Sequence, residues 1–487
     1  MNLSLILTDT AKRFPEKKAL FYNGQGISYT ELHDRVRRLA GGMQKRGLKK
    51  GDRVAMALPN RPEFIIAYFA VLHAGGVVVT LNAASTPYEL THYLTDSEAR
   101  FFITDSRKAA VWKELNGKVP AQSMIVVNNE EKTSINRLIN SSEPVPTVPV
   151  EQNDPAVIIY TSAMNGTPLG AVLSHYNLFT NAEAIRAVEE IDRHDRSIAI
   201  IPLFHAFGAT VNMLSMIKYG GSIVLVERFE REQLFEILAE NRVTYIAAVP
   251  LIFMGMLANP NAEKYNLEAL RLCFSGGCAA PPDMIQQFKE RFGIEILDGY
   301  GLTEASPIVT SNQIHGRMKL GSVGLPIPET RVRIVDDTGK ECPCGTVGEV
   351  VASGPNIMFG YFRSPEATRS VLYNGWLHTG DLGYLDEDGF LFLTGRKKNM
   401  IIQNGFNIYP KEVEKILKMH PAVKEALVVG KPDPVKNEVA HARVVTKAGY
   451  PRDEKEILKF VRSYLAPYKV PRRVEFVGNN ALVGDKT

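Results

Sequence analysis

FIIAYFAVLHAGGVVVTLNAA, residues 64–84, is the stretch whose reading decides the fold. It is long enough to cross a bilayer, so a membrane segment is one reading. Gly75-Gly76 divides it, however, into an apolar piece of helical length and a β-branched run, Val77 to Val79. A buried helix followed by a buried strand of a parallel sheet has that pattern, because both faces of such a strand are covered. The flanks agree. DRVAMAL (52–58) reads as a strand before it, YELTHYLTDSEA (88–99) as a helix and RFFITD (100–105) as a strand after it. Strands alternating with helices make an α/β sheet.

Upstream, ISYTELHDRVRRLAGGMQKRG (27–47) carries a helix with signals at both ends. Ser28 or Thr30 caps it, Glu31 completes a capping box from Ser28, and Gly47 ends it. Leu32, Val36, Leu39 and Met43 share one face. Downstream, residues 141–154 are rich in Pro, Ser, Glu and Asn and read as a connector. Alternation then resumes through PAVIIYTS (155–162), SIAIIPL (197–203), SIVLV (222–226), TYIAAV (244–249) and LRLCFSG (270–276). From about Gly321 short strands dominate, with a turn at Asp386-Glu387-Asp388-Gly389. After Gly395 a compact α+β unit follows: helix 410–420, strands 423–433 and 439–446, helix 454–465. The expected layout is a large unit over 1–394, with a β-rich part from about 321 to 394, a hinge at 395–398 and a small unit over 399–487.

A chain of 487 residues exceeds one compact core. The net charge of +4 is spread along it, which argues against a nucleic-acid partner. Four cysteines make no disulfide scaffold. Cys342-Pro343-Cys344 lacks a second Cys or His pair nearby and reads as a surface turn rather than half a metal site. The N-terminal residues have no basic region before their short apolar run and no small-residue cleavage site, so a signal peptide is not expected there. The expected location is cytoplasmic and no transmembrane segment is expected; peripheral membrane contact and a homodimer are left open.

Four segments carry chemistry: YTSAMNGTPLGA (160–171), GYGLTE (299–304), WLHTGD (376–381) and GRKKNMIIQNGFNIYPKEVE (395–414). The first reads as a phosphate loop with Thr161 and Ser162 as hydroxyls. A carboxylate beside a hydroxyl, Glu304 after Thr303, suits Mg²⁺ and a phosphate oxygen; a helix N-cap is the plain alternative. Asp381 suits a pair of sugar hydroxyls, or else a turn. His205 lies between Phe204 and Phe207 in PLFHAFG, where a satisfied core histidine is the plain alternative.

With these motifs in this order, the chain resembles the acyl-adenylate-forming superfamily of acyl-CoA synthetases, peptide-synthetase adenylation domains and luciferases. The resemblance covers nearly the whole chain. RKKNMIIQNGFNIYPKEVE and LAPYKVPRRVEFV (465–477) look most like the fatty acyl-CoA ligase branch. The resemblance implies a two-step reaction. A small-molecule carboxylic acid attacks the α-phosphate of ATP, giving acyl-AMP and pyrophosphate; a thiol, usually of CoA, then displaces AMP. It further implies ATP, Mg²⁺ and CoA as cofactors, and Glu304 as the metal carboxylate beside Thr303. Thr161, Ser162, Asn165 and Gly166 fall to the phosphates, Gly299 and Tyr300 to adenine, Asp381 and Arg396 to ribose. His205 lies at the mouth of the acyl pocket, Gly277 in SGGCAAP beside the acyl chain, Lys398 at the hinge, and Gly405 on the thiol's path. Cys278 stands where the family usually has Ala; a catalytic cysteine is the rival reading, disfavoured because no partner base lies nearby in sequence.

The sequence departs from the family in two places. Ala163, Met164, Asn165 and Leu169 replace a glycine, two hydroxyl residues and a lysine of the phosphate loop. After residue 477 the chain reads GNNALVGDKT, in which Lys486 falls late for the family's terminal lysine. Both departures concern adenylation with departure of pyrophosphate. The main expectation is an AMP-forming acyl-CoA ligase for a medium- or long-chain fatty acid with altered ATP handling. The alternatives are a binding protein for AMP, acyl-AMP or acyl-CoA without efficient turnover, and a ligase that loads a carrier-protein phosphopantetheine.

Overall fold

The computed structural model describes every residue except 108–110, 112–114, 116, 118–119, 122, 128–133, 162–165, 317, 398–399, 434 and 479–487. Residues 64–84 resolve as the sequence implies. A helix, Pro62–His73, precedes a strand, Val77–Thr80, and every residue of that helix except Glu63 is buried. A helix that is apolar all round must be enclosed on all sides. Arg61 at its N-cap is paired with Glu63 at 2.7 Å. Gly75 makes the turn between helix and strand at φ +77°, and a Cβ there would sit 2.8 Å from Val148 Cγ1. Among the described residues no helix is long and apolar enough to cross a membrane.

The helix Tyr29–Lys45 begins at a capping box in which Ser28 accepts from Glu31 and Glu31 reaches back to Ser28. Its buried face, Leu32, Val36, Leu39 and Met43, packs toward the helix Pro62–His73. The fold is α/β, with four sheets among the described residues. In a seven-stranded sheet, Val77–Thr80 lies between Arg53–Ala57 and Pro155–Thr161, all parallel. Leu169–Ser174 and Gly360–Tyr361 extend that sheet antiparallel at one edge. In a nine-stranded sheet, Tyr245–Ala248, Leu272–Ser275 and Ile296–Gly301 run parallel side by side. The carboxyl ends of Pro155–Thr161 and Ile296–Gly301 deliver Thr161 and the Gly301–Glu304 turn to one place, which is where parallel sheets present ligand sites.

Residues 331–396 form a five-stranded sheet of mainly antiparallel pairs, in which Trp376–Leu385 and Leu391–Arg396 are neighbours. The two-residue strand Leu325–Pro326 extends the nine-stranded sheet instead of this one. Residues 401–476 make the fourth sheet, with helices Pro410–Met419 and Glu454–Tyr464 against it. The buried residues Ile401, Val413, Val428, Val444 and Val461 belong to a separate cluster confined to this unit. Two elements here are absent from the sequence reading: the hairpin Ile401–Gln403 with Phe406–Ile408, and the strand Arg473–Phe476, parallel to Asn437–Thr446.

Candidate active site

Glu304 lies in the short turn Thr303–Ala305 that follows the strand Ile296–Gly301. Its backbone oxygen accepts from Met358 N at 2.8 Å, which ties the turn to the 355–359 segment. Among the described residues two side chains reach its carboxylate. Thr161 donates to Oε1 at 3.3 Å and Tyr361 donates to the same Oε1 at 2.8 Å. Oε2 carries no hydrogen bond among the described residues. Tyr361 is held by pairing of Gly360–Tyr361 with Leu169–Ser174, so the edge of the seven-stranded sheet aims the phenol at Glu304. Burial first, and then the facing Glu304 carboxylate, keep the Tyr361 hydroxyl well above its ordinary pKa, so it stays a donor.

Asp381 and Arg396 are register partners across two antiparallel strands. Their side chains meet with Arg396 Nε 3.4 Å from Asp381 Oδ1, and Tyr300 donates to Oδ2 at 2.6 Å. The Asp381 carboxylate is thereby fixed from two sides. Glu349 shapes the preceding turn by accepting from Gly380 N at 3.0 Å. Thr161, Glu304, Tyr361, Asp381, Arg396 and Tyr409 line one cleft of about 550 Å³.

A second cleft of about 680 Å³ adjoins it, and the two share Thr161, Thr303 and Asn407. His205, Phe204 and Phe406 line the second. His205 Nδ1 accepts from Phe207 N at 3.3 Å, so in the neutral ring the proton sits on Nε2. Burial pushes the imidazole down to about 4, which keeps it neutral near pH 7. Gly277 and Gly405 face each other nearby: a Cβ on Gly277 would come 3.9 Å from Gly405 Cα. Gly405 has φ +81°, and a Cβ there would fall 2.6 Å from Val249 Cγ1, so only glycine seats this loop so closely. Gly299 approaches Phe274 and Tyr300 packs behind Asp381.

The remaining candidates fall elsewhere. Gly166 lines a third cleft of about 420 Å³ with Thr167 and Pro168, and a Cβ on it would meet Lys411 backbone at 2.8 Å. The start of helix Pro410–Met419 therefore covers it in this pose. Ser162, Asn165 and Lys398 lie outside the described residues, as do Ala163, Met164 and Lys486. Leu169 opens its strand opposite Thr161. Burial and the nearby Asp298 push the Cys278 thiol up to about 11, the reverse of an activated nucleophile.

Three contributors escape the sequence reading: Tyr361, Tyr409 and Asn407. Asp298 precedes Gly299, is buried, and has an Oδ1 with no hydrogen bond among the described residues; burial pushes its carboxyl up to about 8. Asn407 and Tyr409 lie in the quoted 395–414 segment, but nothing local to it shows that they enter the first cleft.

The residues present fit a nucleotide triphosphate with a divalent cation. The first cleft offers a carboxylate, Glu304, with one oxygen that has no hydrogen bond among the described residues, a second carboxylate, Asp381, held at fixed orientation, a guanidinium and a hydroxyl. Mg²⁺ is commonly held by one or two carboxylates together with phosphate oxygens, a set to which Glu304 can contribute.

The family model described as AMP-binding enzyme matches residues 7–362, and the model described as AMP-binding enzyme C-terminal domain matches residues 412–482. A long-chain-fatty-acid–CoA ligase of Bacillus subtilis (strain 168) is 36% identical over 97% of this chain and 90% of its own. A feruloyl-CoA synthase of an Amycolatopsis species is also 36% identical, over 96% of this chain and 93% of its own. Among solved structures, a double mutant of o-succinylbenzoate CoA synthetase from Bacillus subtilis, bound with its product analogue, superposes with a TM-score of 0.87. It is 30% identical, covering 98% of this chain and 96% of its own.

Proposed function

The chain belongs to the AMP-binding enzyme family, the AMP-forming acyl- and aryl-CoA ligases, and from that premise we propose that it joins a medium- or long-chain aliphatic acid to CoA through an acyl-adenylate. The observation that carries the reading is the pair of adjoining clefts. One holds Glu304, Asp381 and Arg396 for a nucleotide, and the other holds a neutral His205 and aromatic walls for an acid.

In the first step an acid carboxylate oxygen bonds to the α-phosphorus while the bond to the bridging oxygen breaks and pyrophosphate leaves. Asp381, oriented by Tyr300 and Arg396, accepts from the two ribose hydroxyls. Glu304, steadied by Tyr361 and Thr161, would help hold a divalent cation, which would supply electrostatic stabilisation of the phosphate charge. The Nε2–H of His205 orients the carboxylate. In the second step the thiol sulfur bonds to the acyl carbon, the bond from that carbon to the AMP oxygen breaks and AMP leaves; by the family resemblance Gly405, seated close to Gly277, lies on the thiol's path. We place the unit boundary at 394–398, with the hinge at Lys398 and the small unit beyond it.

The aliphatic reading rests on the 395–414 and 465–477 segments and on the fatty-acid ligase relative; the feruloyl relative at equal identity makes an aromatic acid the competing substrate class. A pyrophosphate-release screen over acids from acetate to palmitate plus ferulate, each with and without CoA, decides between them. Release driven by C8–C16 acids supports the proposal; release driven by ferulate alone overturns its substrate class, and AMP binding with no acid-dependent release overturns turnover.

The phosphate loop should also limit the first step. Leu169 opposite Thr161 brings no cation to the leaving pyrophosphate. Restoring Ala163→Gly, Met164→Thr and Leu169→Lys together is expected to raise kcat for adenylation about ten- to a hundredfold, the worth of one charged hydrogen bond made in the transition state. Thioester formation from synthetic acyl-AMP should be unchanged. Flat pyrophosphate release after this repair would place the limitation outside the loop.

A further inference from the structure

Lys469 borders the second cleft on the side of the small unit, and it is among the most deeply buried charges in the molecule. Its side chain is 2% exposed. It donates to Glu89 Oε1 at 2.8 Å and to Glu412 Oε1 at 2.7 Å, and those carboxylates are themselves 4% and 7% exposed. Glu412 lies on helix Pro410–Met419 of the unit to which Lys469 also belongs. Glu89 lies on helix Pro87–Asp96, against the seven-stranded sheet. The ammonium therefore bridges two carboxylates that face each other across the junction of the two units. Burial pulls the ammonium down, and the facing Tyr468 and Tyr93 phenols with the Glu412 and Glu89 carboxylates outweigh it, so it stays charged.

Around this triad the junction closes by polar and aromatic contacts. Thr86 donates to the Tyr464 carbonyl at 2.7 Å, and the Tyr88 and Tyr464 rings meet edge-on at 5.2 Å. Tyr468, which immediately precedes Lys469, stacks on Phe406 at 4.8 Å, and its carbonyl accepts from Gln403 at 3.3 Å. Phe406 in turn lies over Phe204, beside His205, at 6.4 Å. A continuous set of contacts thus runs from Glu89 through Lys469, Tyr468 and Phe406 to the wall of the second cleft.

We infer that Lys469 is a positioning residue for thioester formation: its ion triad with Glu89 and Glu412 seats the 403–409 loop against Gly277 and over the second cleft. The inference rests on the ligase reading above. Two carboxylates buried face to face repel unless a cation lies between them, so the closed pose needs Lys469 charged and in place. When the units part, Lys469 keeps Glu412 and only Glu89 is released to water. The desolvation cost of such a triad offsets much of its attraction. It therefore selects one geometry without holding it irreversibly, as a pose that reopens each turnover requires.

Glu89→Gln isolates the charge. Glutamine still accepts from Thr86 N, which Glu89 does at 2.9 Å, so the capping box of helix Pro87–Asp96 survives. Lys469 also retains Glu412, so the small unit keeps its own ion pair. Single-turnover CoA thioester formation from synthetic dodecanoyl-AMP is expected to fall about tenfold or more, since the seated pose loses population. Adenylation, read as pyrophosphate release, should be unchanged. Hydrogen exchange without any substrate should quicken in peptides covering 86–96 and 403–409 and stay constant over 62–73. Unchanged exchange in both junction peptides overturns the inference, as does an equal loss in the two half-reactions. Were wild type inert toward dodecanoyl-AMP, the substrate class would fail instead, and the exchange measurement would still decide the role of Lys469.

Discussion

Replacing Glu304 with glutamine is expected to lower adenylation by about two to three orders of magnitude, the usual loss when a group stabilising transition-state charge is removed. The change is sharply defined by the site. Glutamine keeps an oxygen to accept from Tyr361 and Thr161, which both donate to Oε1, so the turn at Thr303–Ala305 keeps its place. What is lost is the negative charge, and with it the cation's protein partner. Because that interaction strengthens as charge builds on the phosphates, the loss belongs in kcat rather than in affinity for the acid. AMP binding by calorimetry should change little, since Asp381 and Tyr300 are untouched. Single-turnover pyrophosphate release across a Mg²⁺ titration reads the effect. A variant with near wild-type release at saturating Mg²⁺ would remove Glu304 from the metal site.

Asp381→Ala is expected to weaken AMP binding about a hundredfold or more, since each hydrogen bond to a charged group contributes roughly 1.5–3 kcal/mol and two ribose hydroxyls are at stake. Part of the loss comes from the partners left behind. Tyr300 donates its hydroxyl to Asp381 at 2.6 Å and Arg396 lies 3.4 Å from the other oxygen, so alanine takes a carboxylate partner from a buried phenol and from an exposed guanidinium that keeps the Met400 carbonyl. A double-mutant cycle separates that from ribose recognition. Wild type should discriminate strongly between AMP and 2′,3′-dideoxy-AMP, and Asp381→Ala should bind the two equally. Equal discrimination by both proteins would assign Asp381 to holding the Trp376–Leu385 strand rather than to the sugar.

Features governed by neighbours in sequence were legible from the residues alone. The Ser28–Glu31 capping box and the break at Gly75-Gly76 are local matters of hydrogen bonding and backbone freedom, and both elements form where expected. The α/β class followed from the same local alternation. Asp381, Glu304 and His205 were legible only as motif members; that the first two share a cleft depends on which strands lie side by side. Contacts between distant segments left no trace in either segment. Tyr361 sits in a Gly-Tyr pair in a turn-rich stretch, and only the pairing of Gly360–Tyr361 with Leu169–Ser174 turns its hydroxyl to Glu304. Lys469 reads as one more surface lysine in PYKVPRR until helix Pro87–Asp96 is seen against it. Gly166 shows the converse, a loop glycine whose local signal says nothing of the helix that covers it.

The central claim is that an acid oxygen attacks the α-phosphorus and leaves with AMP when the thiol takes the acyl group. The acid selected by the release screen, labelled with ¹⁸O in both carboxylate positions, should be turned over with ATP and CoA and the nucleotide product weighed by mass spectrometry. AMP carrying one ¹⁸O, formed together with the CoA thioester, is the predicted result. Unlabelled AMP, or ADP with label in inorganic phosphate, would contradict the account.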